Sequence, residues 1–312
     1  MKVLVTGGAG FIGSHLVERL LKEGNEVIVV DNYTLGKKEN LSSVLENKNL
    51  EIIECNIDET ENFCEKLNDY DIDMIYHLAA NSDIQKGGQN PDVDFRDTFM
   101  TTRSVLELMR RKSIKNLFFS STSAIYGDKM GIPLKEDLGD LRPISYYGGA
   151  KFASEALISS YTHMNDLNVV MFRFPNVIGP HLTHGVIFDF KKKLERNPKE
   201  LEILGDGTQQ KPYVYVLDLI DAIMMLTKDI KKGIEIYNAG DETSTSVLTI
   251  ANIVCEELGY KDVEYKFTGG NIGWKGDVPK FNFNLEKIHK AGWKASHTSD
   301  EAVRDTVRSI KD

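Results

Sequence analysis

Cysteine is scarce in this 312-residue chain: Cys55, Cys64 and Cys255 form an odd, widely spaced set with no CxxC and no neighbouring histidine pair. That excludes a disulfide framework or a zinc ribbon, so the three read as structural thiols of a reduced interior, and no metal is expected. Long apolar runs are lacking as well. Stretches such as 27–30 and 117–119 fall far short of the about 20 residues that cross a bilayer. The opening MKVLVTGG has no signal-peptide h-region and reads directly as a short buried strand, so a cytoplasmic protein without membrane association is expected. Positive charge is also short, with 38 Lys+Arg against 47 Asp+Glu, a formal net charge of -9 and no basic run of five. Such a chain cannot supply the field that holds a phosphate backbone, which excludes nucleic acid as a partner. Internal repeats, heptads and low-complexity segments are absent. What remains, 41% hydrophobic and 27% charged, is globular and suffices for one large domain or two that share a core.

Short β-branched runs alternate with helical patterns through the first 180 residues. Residues 3–6, 26–30, 50–54, 73–77, 116–121 and 168–174 read as strands, most of them apolar on both faces as a buried parallel sheet requires. Residues 11–23, 61–67, 92–112 and 145–164 carry apolar side chains at three and four spacing and read as helices. The pattern predicts an α/β fold, a Rossmann-type doubly wound parallel sheet with right-handed crossovers. After Pro180 the pattern loosens, with turn signals at Asn197-Pro198 and Gly205-Asp206-Gly207. We expect residues 1–180 to form a dinucleotide-binding domain and 181–312 mainly a smaller substrate lobe. Residues 214–227 and 234–238 again read as helix and strand, so parts of 211–240 are expected to rejoin the sheet and interleave the two.

The first strand runs straight into Gly7-Gly8-Ala9-Gly10-Phe11-Ile12-Gly13, whose Gly7, Gly10 and Gly13 are spaced GxxGxxG, with the third opening an amphipathic helix. Strand, glycine loop and helix within one βαβ unit aim backbone N–H groups and a helix N-terminus at a pyrophosphate. The second strand ends at Asp31, eighteen residues beyond Gly13, where a carboxylate can accept both hydroxyls of an adenosine ribose. That carboxylate would repel a 2′-phosphate, so NAD is the expected cofactor, with NADP the alternative through Lys37 and Lys38.

Tyr147 and Lys151 stand four apart on a predicted helix and share a face. A phenol with an ordinary pKa near about 10 is a useful base at neutral pH only if a fixed cation stabilises the phenolate. Lys151 can be that cation.

Together these residues resemble the extended short-chain dehydrogenase/reductase family, and within it the nucleotide-sugar epimerases of the UDP-galactose 4-epimerase type. The likeness runs through TGGAGFIGSHL from Thr6, DNYTLG from Asp31, HLAA from His77, SSTSAIYG from Ser120, YGGAK from Tyr147, FPNVIGP from Phe174 and GDGTQQKPYVYV from Gly205. The resemblance implies that Tyr147 is base and acid, that Lys151 holds it and the nicotinamide ribose, and that Thr122 hydrogen-bonds the reacting hydroxyl. It implies cofactor contacts at Gly7, Gly10, Phe11, Ile12, Gly13, Asp31, Asn32, Asn56, Ile57, Leu78, Ala79, Ala80, Tyr147 and Lys151. It also implies that Asn176 touches a substrate phosphate, that the second lobe closes over a nucleoside diphosphate sugar, and that the enzyme is a homodimer built on helices 92–112 and 145–164. Leu106, Met109, Phe152 and Ile158 are candidates for that interface, with a wide core-facing stripe as the competing explanation.

The chain departs from its relatives at three places. Cys55-Asn56-Ile57 replaces a GDI, so any adenine contact there comes from a neutral amide. Lys211 and Lys275 stand where many relatives place phosphate-binding arginines, and a lysine is a point charge rather than a bidentate fork. After Thr122 come Ser123 and Ala124, where 4,6-dehydratases carry an acid and a base for elimination. The expected activity is therefore an NAD-dependent nucleotide-sugar 4-epimerase, a UDP-hexose first, acting by transient oxidation at C4 and re-reduction. The alternatives are a 4,6-dehydratase, a 4-reductase or decarboxylating member, and a non-catalytic NAD-binding regulator.

Overall fold

Runs of aliphatic residues buried on both faces build the central sheet of this computed structural model, which describes residues 1–129, 131–270, 273 and 276–311, with Gln85 described by its backbone alone. β1 (Lys2–Thr6), β2 (Glu26–Asp31), β3 (Leu50–Glu54), β4 (Met74–His77), β5 (Asn116–Thr122) and β6 (Asn168–Phe174) join a strand at Gly233–Asn238 in one seven-stranded sheet. Its order is Gly233–Asn238, β6, β5, β4, β1, β2, β3, and the pairings from β3 through to β5 are parallel. Stepping outward from β1 to β3 on one side and from β4 onward on the other makes this a Rossmann-type doubly wound sheet, whose order reverses between β1 and β4. β1, β2, β4 and β5 are buried almost throughout, whereas β3 at the edge alternates between half-buried and exposed residues. A strand covered on both faces has no polar side to alternate with, which is why the central strands read as continuous apolar runs.

Among the described residues six α-helices lie between β1 and β6: α1 (Phe11–Lys22), α2 (Thr60–Lys66), α3 (Ile84–Gln89), α4 (Pro91–Asp94), α5 (Thr101–Lys112) and α6 (Tyr146–Asn165). The helix expected over 92–112 is interrupted: residues Phe95–Met100 form a wider π-helical stretch between α4 and α5. Threonine hydroxyls occupy carbonyls there, Thr101 donating to Asp97 and Thr98 at 3.0 and 2.9 Å and Thr102 to Thr98 at 2.8 Å. Side-chain hydroxyls that bind carbonyls of the preceding turn compete with the regular ladder. The segment after β4 carries α3, which Asp83 caps by accepting the Lys86 N–H at 3.0 Å.

The interface expectation for α5 and α6 needs correction. Leu106, Met109 and Ile158 are wholly buried in one core cluster with Leu4, Val30, Phe119 and Met171. They belong to the wide core-facing stripe, and of the four only Phe152 is exposed.

The chain clusters into two units. The first contains Met1–Ile125, Ser145–Arg173 and Ile223–Tyr237; the second contains Tyr126–Ile144, Phe174–Ala222 and Asn238–Asp312. Residues 126–144 and 174–180 thus fall outside the unit that carries the sheet, although both precede the boundary drawn from the sequence. The reason is that a Gly-rich, irregular stretch after β5 carries little periodicity of either kind to show where it packs. The second unit has its own core, in which the helices Val186–Arg196, Val247–Leu258 and Ser299–Ser309 bury Phe190, Leu194, Ile250, Val254, Val303 and Val307. Among the described residues the three cysteines are free and buried, no helix is long and apolar enough to cross a membrane, and no group of His, Cys, Asp and Glu could hold a metal ion.

Candidate active site

The C-terminal ends of β1 to β4 carry the expected cofactor residues of the first unit. Gly7 follows β1 with φ +71, and its N–H donates to the Val30 carbonyl at 2.8 Å. A Cβ on Gly7 would stand 2.8 Å from the Ala79 nitrogen, and one on Gly13 only 2.1 Å from the Gly7 carbonyl oxygen. Loop and helix can lie this close only if both positions lack a side chain. The first turn of α1, with Phe11 and Ile12, begins at the N-cap Gly10, which supplies no side-chain cap, and the turn holds no acidic residue. Its N–H groups and the positive end of the helix therefore remain available to an anion.

Asp31 closes β2, only 6% exposed. Its carboxylate accepts the Ala9 N–H at 3.0 Å and the Tyr33 N–H at 2.8 Å, which ties the end of β2 to the glycine loop. Each oxygen takes one of these bonds and retains further acceptor capacity, as recognition of ribose hydroxyls requires. Burial pushes the Asp31 carboxyl up from its ordinary value, and the backbone N–H groups of Tyr33, Ala9 and Asn32 oppose that shift. Beside it the exposed Asn32 amide donates to the Asn56 side chain at 3.1 Å. Lys38, the alternative reader of a 2′-phosphate, faces Glu54 at 3.7 Å and lies 4.8 Å from the centre of the Tyr33 ring. Ile57 is different: its side chain is buried in the core with Cys55 and Phe63, so only its backbone can meet a ligand. Leu78, Ala79 and Ala80 follow β4, partly exposed, with the Leu78 N–H bound to the Thr6 carbonyl at 3.1 Å. A glycine cradle that no Cβ could enter, an uncapped helix start and a carboxylate at the end of the second strand fit a dinucleotide.

The chemistry-bearing residues gather at β5 and the start of α6. Ser145 caps α6 by accepting the Gly148 N–H at 3.1 Å, which sets Tyr147 in the first turn. Tyr147 and Lys151 are then one turn apart on one face. Thr122, the last residue of β5, is buried and hydrogen-bonds the Tyr147 side chain. Desolvation pushes the Tyr147 phenol up to about 12; the Thr122 bond pulls it down and the negative charge of Asp94 adds to the rise. Lys151 is 2% exposed, and its Nζ donates to the Ser120 carbonyl at 2.6 Å. Burial lowers this ammonium to about 7, against the pull of Glu155. The free chain thus carries a protonated phenol and a lysine that gives up its proton near neutrality, a pair sensitive to any charge brought to it.

Several participants were not singled out in the sequence. His77 lies between the Thr6 hydroxyl at 2.7 Å and the Thr102 hydroxyl at 3.1 Å, and burial followed by the Lys151 charge lowers its pKa to about 3. Asp94 is 1% exposed; one oxygen accepts from Asn81 at 2.8 Å while the other, Oδ2, has no hydrogen-bond partner, and desolvation raises its pKa. Glu155 and Arg173 form a buried ion pair at 2.6 Å. Only the last could have been suspected, because Glu155 repeats the four-residue spacing from Lys151.

The expected substrate contacts fall in the second unit. Asn176 opens the short strand Asn176–Ile178, exposed, with its side chain bonded to that of Tyr213. Lys211 is part-buried and paired through Nζ with Asp277, so the cation expected on a phosphate already has a carboxylate partner. Lys275 lies outside the described residues.

The sequence profile of the NAD dependent epimerase/dehydratase family matches residues 3–240. The chain belongs to that family. It is an enzyme family that depends on NAD, and NAD is the cofactor of this member. A solved UDP-galactose 4-epimerase is 35% identical to this family member, covers 99% of this chain and 98% of its own, and superposes with a TM-score of 0.88. The UDP-glucose 4-epimerase of Thermotoga maritima, solved with UDP-glucose, is 31% identical over 100% of this chain and 99% of its own, with a TM-score of 0.89. UDP-glucuronic acid decarboxylase 1 of Arabidopsis thaliana is 33% identical over 83% of this chain and 58% of its own length. The family member described here is therefore similar over its whole length to UDP-sugar 4-epimerases and over most of it to an enzyme of different outcome.

Proposed function

We propose that this enzyme is a UDP-hexose 4-epimerase in which Thr122, Tyr147 and Lys151 carry the reaction. Tyr147 takes the proton of the sugar C4 hydroxyl and later returns it, and the Thr122 hydroxyl, bonded to the phenol, orients that hydroxyl. Bound NAD would supply the hydride chemistry, accepting the C4 hydrogen with its two electrons when the alcohol becomes a ketone and returning it to the opposite face of C4. A phenol at about 12 is no base at neutral pH, so Lys151, as a cation, must favour the phenolate when ligands fill the site. Asn176 and Lys211, with Lys275, are assigned to the substrate phosphates; Asp31 to the adenosine ribose; Asn56 to the adenine.

The observation that carries this reading is the Thr122-Ser123-Ala124 sequence, in which Thr122 ends β5 and Ser123 and Ala124 open the short 3-10 helix Ser123–Tyr126. Elimination across C5 and C6 needs a base for the C5 proton and an acid for the departing hydroxyl, and neither a hydroxymethyl nor a methyl is either near neutral pH. We further propose a homodimer in the cytoplasm. Three buried thiols support a reducing compartment, and exposed aromatic side chains, Phe152 on α6 and Phe95, stacked on Phe99 with ring centres 5.7 Å apart, support association.

The test incubates the enzyme with UDP-glucose, UDP-galactose and UDP-glucuronic acid in deuterated water and follows the products by NMR. Interconversion of C4 epimers without deuterium at C5 is expected. A new C6 methyl would establish a dehydratase, and loss of the carboxyl carbon a decarboxylase; either replaces the epimerase reading.

A further inference from the structure

We propose that Glu155 is a positioning residue for Lys151: clamped between Arg173 and Ser121, its carboxylate keeps the Lys151 ammonium charged and turned toward the end of β5. Tyr147, Lys151 and Glu155 follow one another at four-residue steps along α6, so the carboxylate stands one turn behind the lysine on the same face. It is not free to leave. Arg173 of β6 donates from Nε to one Glu155 oxygen at 3.0 Å and from Nη2 to the other at 2.6 Å, a bidentate geometry, and the Ser121 hydroxyl adds a third bond. Glu155 is 6% exposed and Arg173 4%. Ser121 and Ser120, whose carbonyl receives the Lys151 Nζ, are consecutive on β5 and lead to Thr122, so one strand end registers the carboxylate, the ammonium and the residue bonded to Tyr147.

Charge matters here because, among the described residues, Glu155 is the negative group that acts on the lysine. The Ser120 oxygens and the face of the Phe119 ring, 4.7 Å away, are neutral partners. His77 of β4 is held neutral, and Arg173 is of the same sign as the ammonium. From the segment that packs on α6, Asp94 acts on Tyr147, while Asp97 is exposed enough to pair with Arg96 at 2.8 Å and Lys86 is exposed. On α5, Glu107 is engaged by Arg110 and by the Tyr161 hydroxyl. Desolvation alone drives a buried lysine toward its neutral form, and a neutral amine cannot stabilise a phenolate. Glu155 opposes that drive. Arg173 prevents the carboxylate from being itself an unpaired buried charge.

The inference rests on the proposed role of Lys151, yet it can be tested without any reaction. In full-length, cofactor-free protein labelled with 13C at the lysine ε-carbon, the Lys151 signal, identified by its loss in Lys151→Arg, is titrated from about pH 5 to 11. In Glu155→Gln its midpoint is expected to fall by at least about one pH unit, a tenfold loss of proton affinity. Arg173→Gln is expected to move it the opposite way, which mere loosening of the core would not do. Where the single variants fail to fold, Glu155→Gln/Arg173→Gln leaves no unpaired charge and is expected to lower the midpoint as well, because Glu155 is the charge that acts most on Lys151. A Lys151 midpoint that stays within about 0.3 pH units of wild type in a folded Glu155→Gln or double variant overturns the proposal. Full turnover of UDP-glucose by Lys151→Met would instead remove the lysine from the reaction and leave the titration result standing.

Discussion

Tyr147 meets two opposed demands: it must be buried enough to exclude water from a proton transfer, and burial is what makes its proton hard to remove. The hydroxyl is the reacting group, and a phenyl ring fills nearly the same space. Tyr147→Phe is therefore expected to abolish nearly all turnover while cofactor and substrate affinities stay within about tenfold. A variant retaining a tenth of the wild-type rate would remove Tyr147 from its role. His77 shows the same physics in stability. Its folded-state pKa, about 3, lies below the ordinary 6.5, so as the pH falls the unfolded chain takes up this proton first. The stability that depends on the neutral ring is complete above pH 6.5 and drains away between 6.5 and 3. Urea unfolding midpoints should fall more steeply from pH 7 to 4 in wild type than in His77→Gln; equal slopes would show that other groups set the acid limit.

At the scale of the element, α6 is the part on which the site depends most. Ser145 satisfies one of the N–H groups at its start, and the turn it fixes is the one that carries Tyr147. Ser145→Ala is expected to cost about 1 kcal/mol of stability, read as a lower denaturant midpoint at unchanged slope, with a larger loss of rate than of cofactor affinity. This helix and the strands around it were legible beforehand: β3 and β6 have the bounds the sequence predicts, and β1, β2, β4 and β5 differ by one residue at one end. Period-two and period-3.6 patterns are local quantities, so they can be read from local sequence. The π-helical stretch at Phe95–Met100 was not legible, because it depends on which carbonyls the Thr101 and Thr102 hydroxyls take, and that is decided by packing.

For the whole molecule, two exposed phenylalanines are the feature that a single chain leaves unexplained. Phe95 is 57% exposed, and Phe152 is exposed as well. If the chain associates about a two-fold axis through these side chains, light scattering at micromolar concentration should give twice the 35.1 kDa chain mass, and Phe95→Glu/Phe152→Glu should halve it without unfolding the chain. A wild-type monomer would count against the dimer and leave these side chains to another use.

The sequence by itself determined the sheet, the glycine loop with Asp31 at the end of the second strand, and the Tyr147 and Lys151 pair, since each follows from spacing along the chain. Only the tertiary structure decided what surrounds them. It assigned Leu106, Met109 and Ile158 to the core, paired Lys211 with Asp277, grouped 126–144 with the second unit, and set Glu155 and Arg173 behind Lys151. The physical reason is range: periodicity and turn chemistry act between near neighbours in sequence, whereas the burial and charge that tune Tyr147 come from residues as distant in sequence as Thr122 and Asp94, which meet it only when the chain folds.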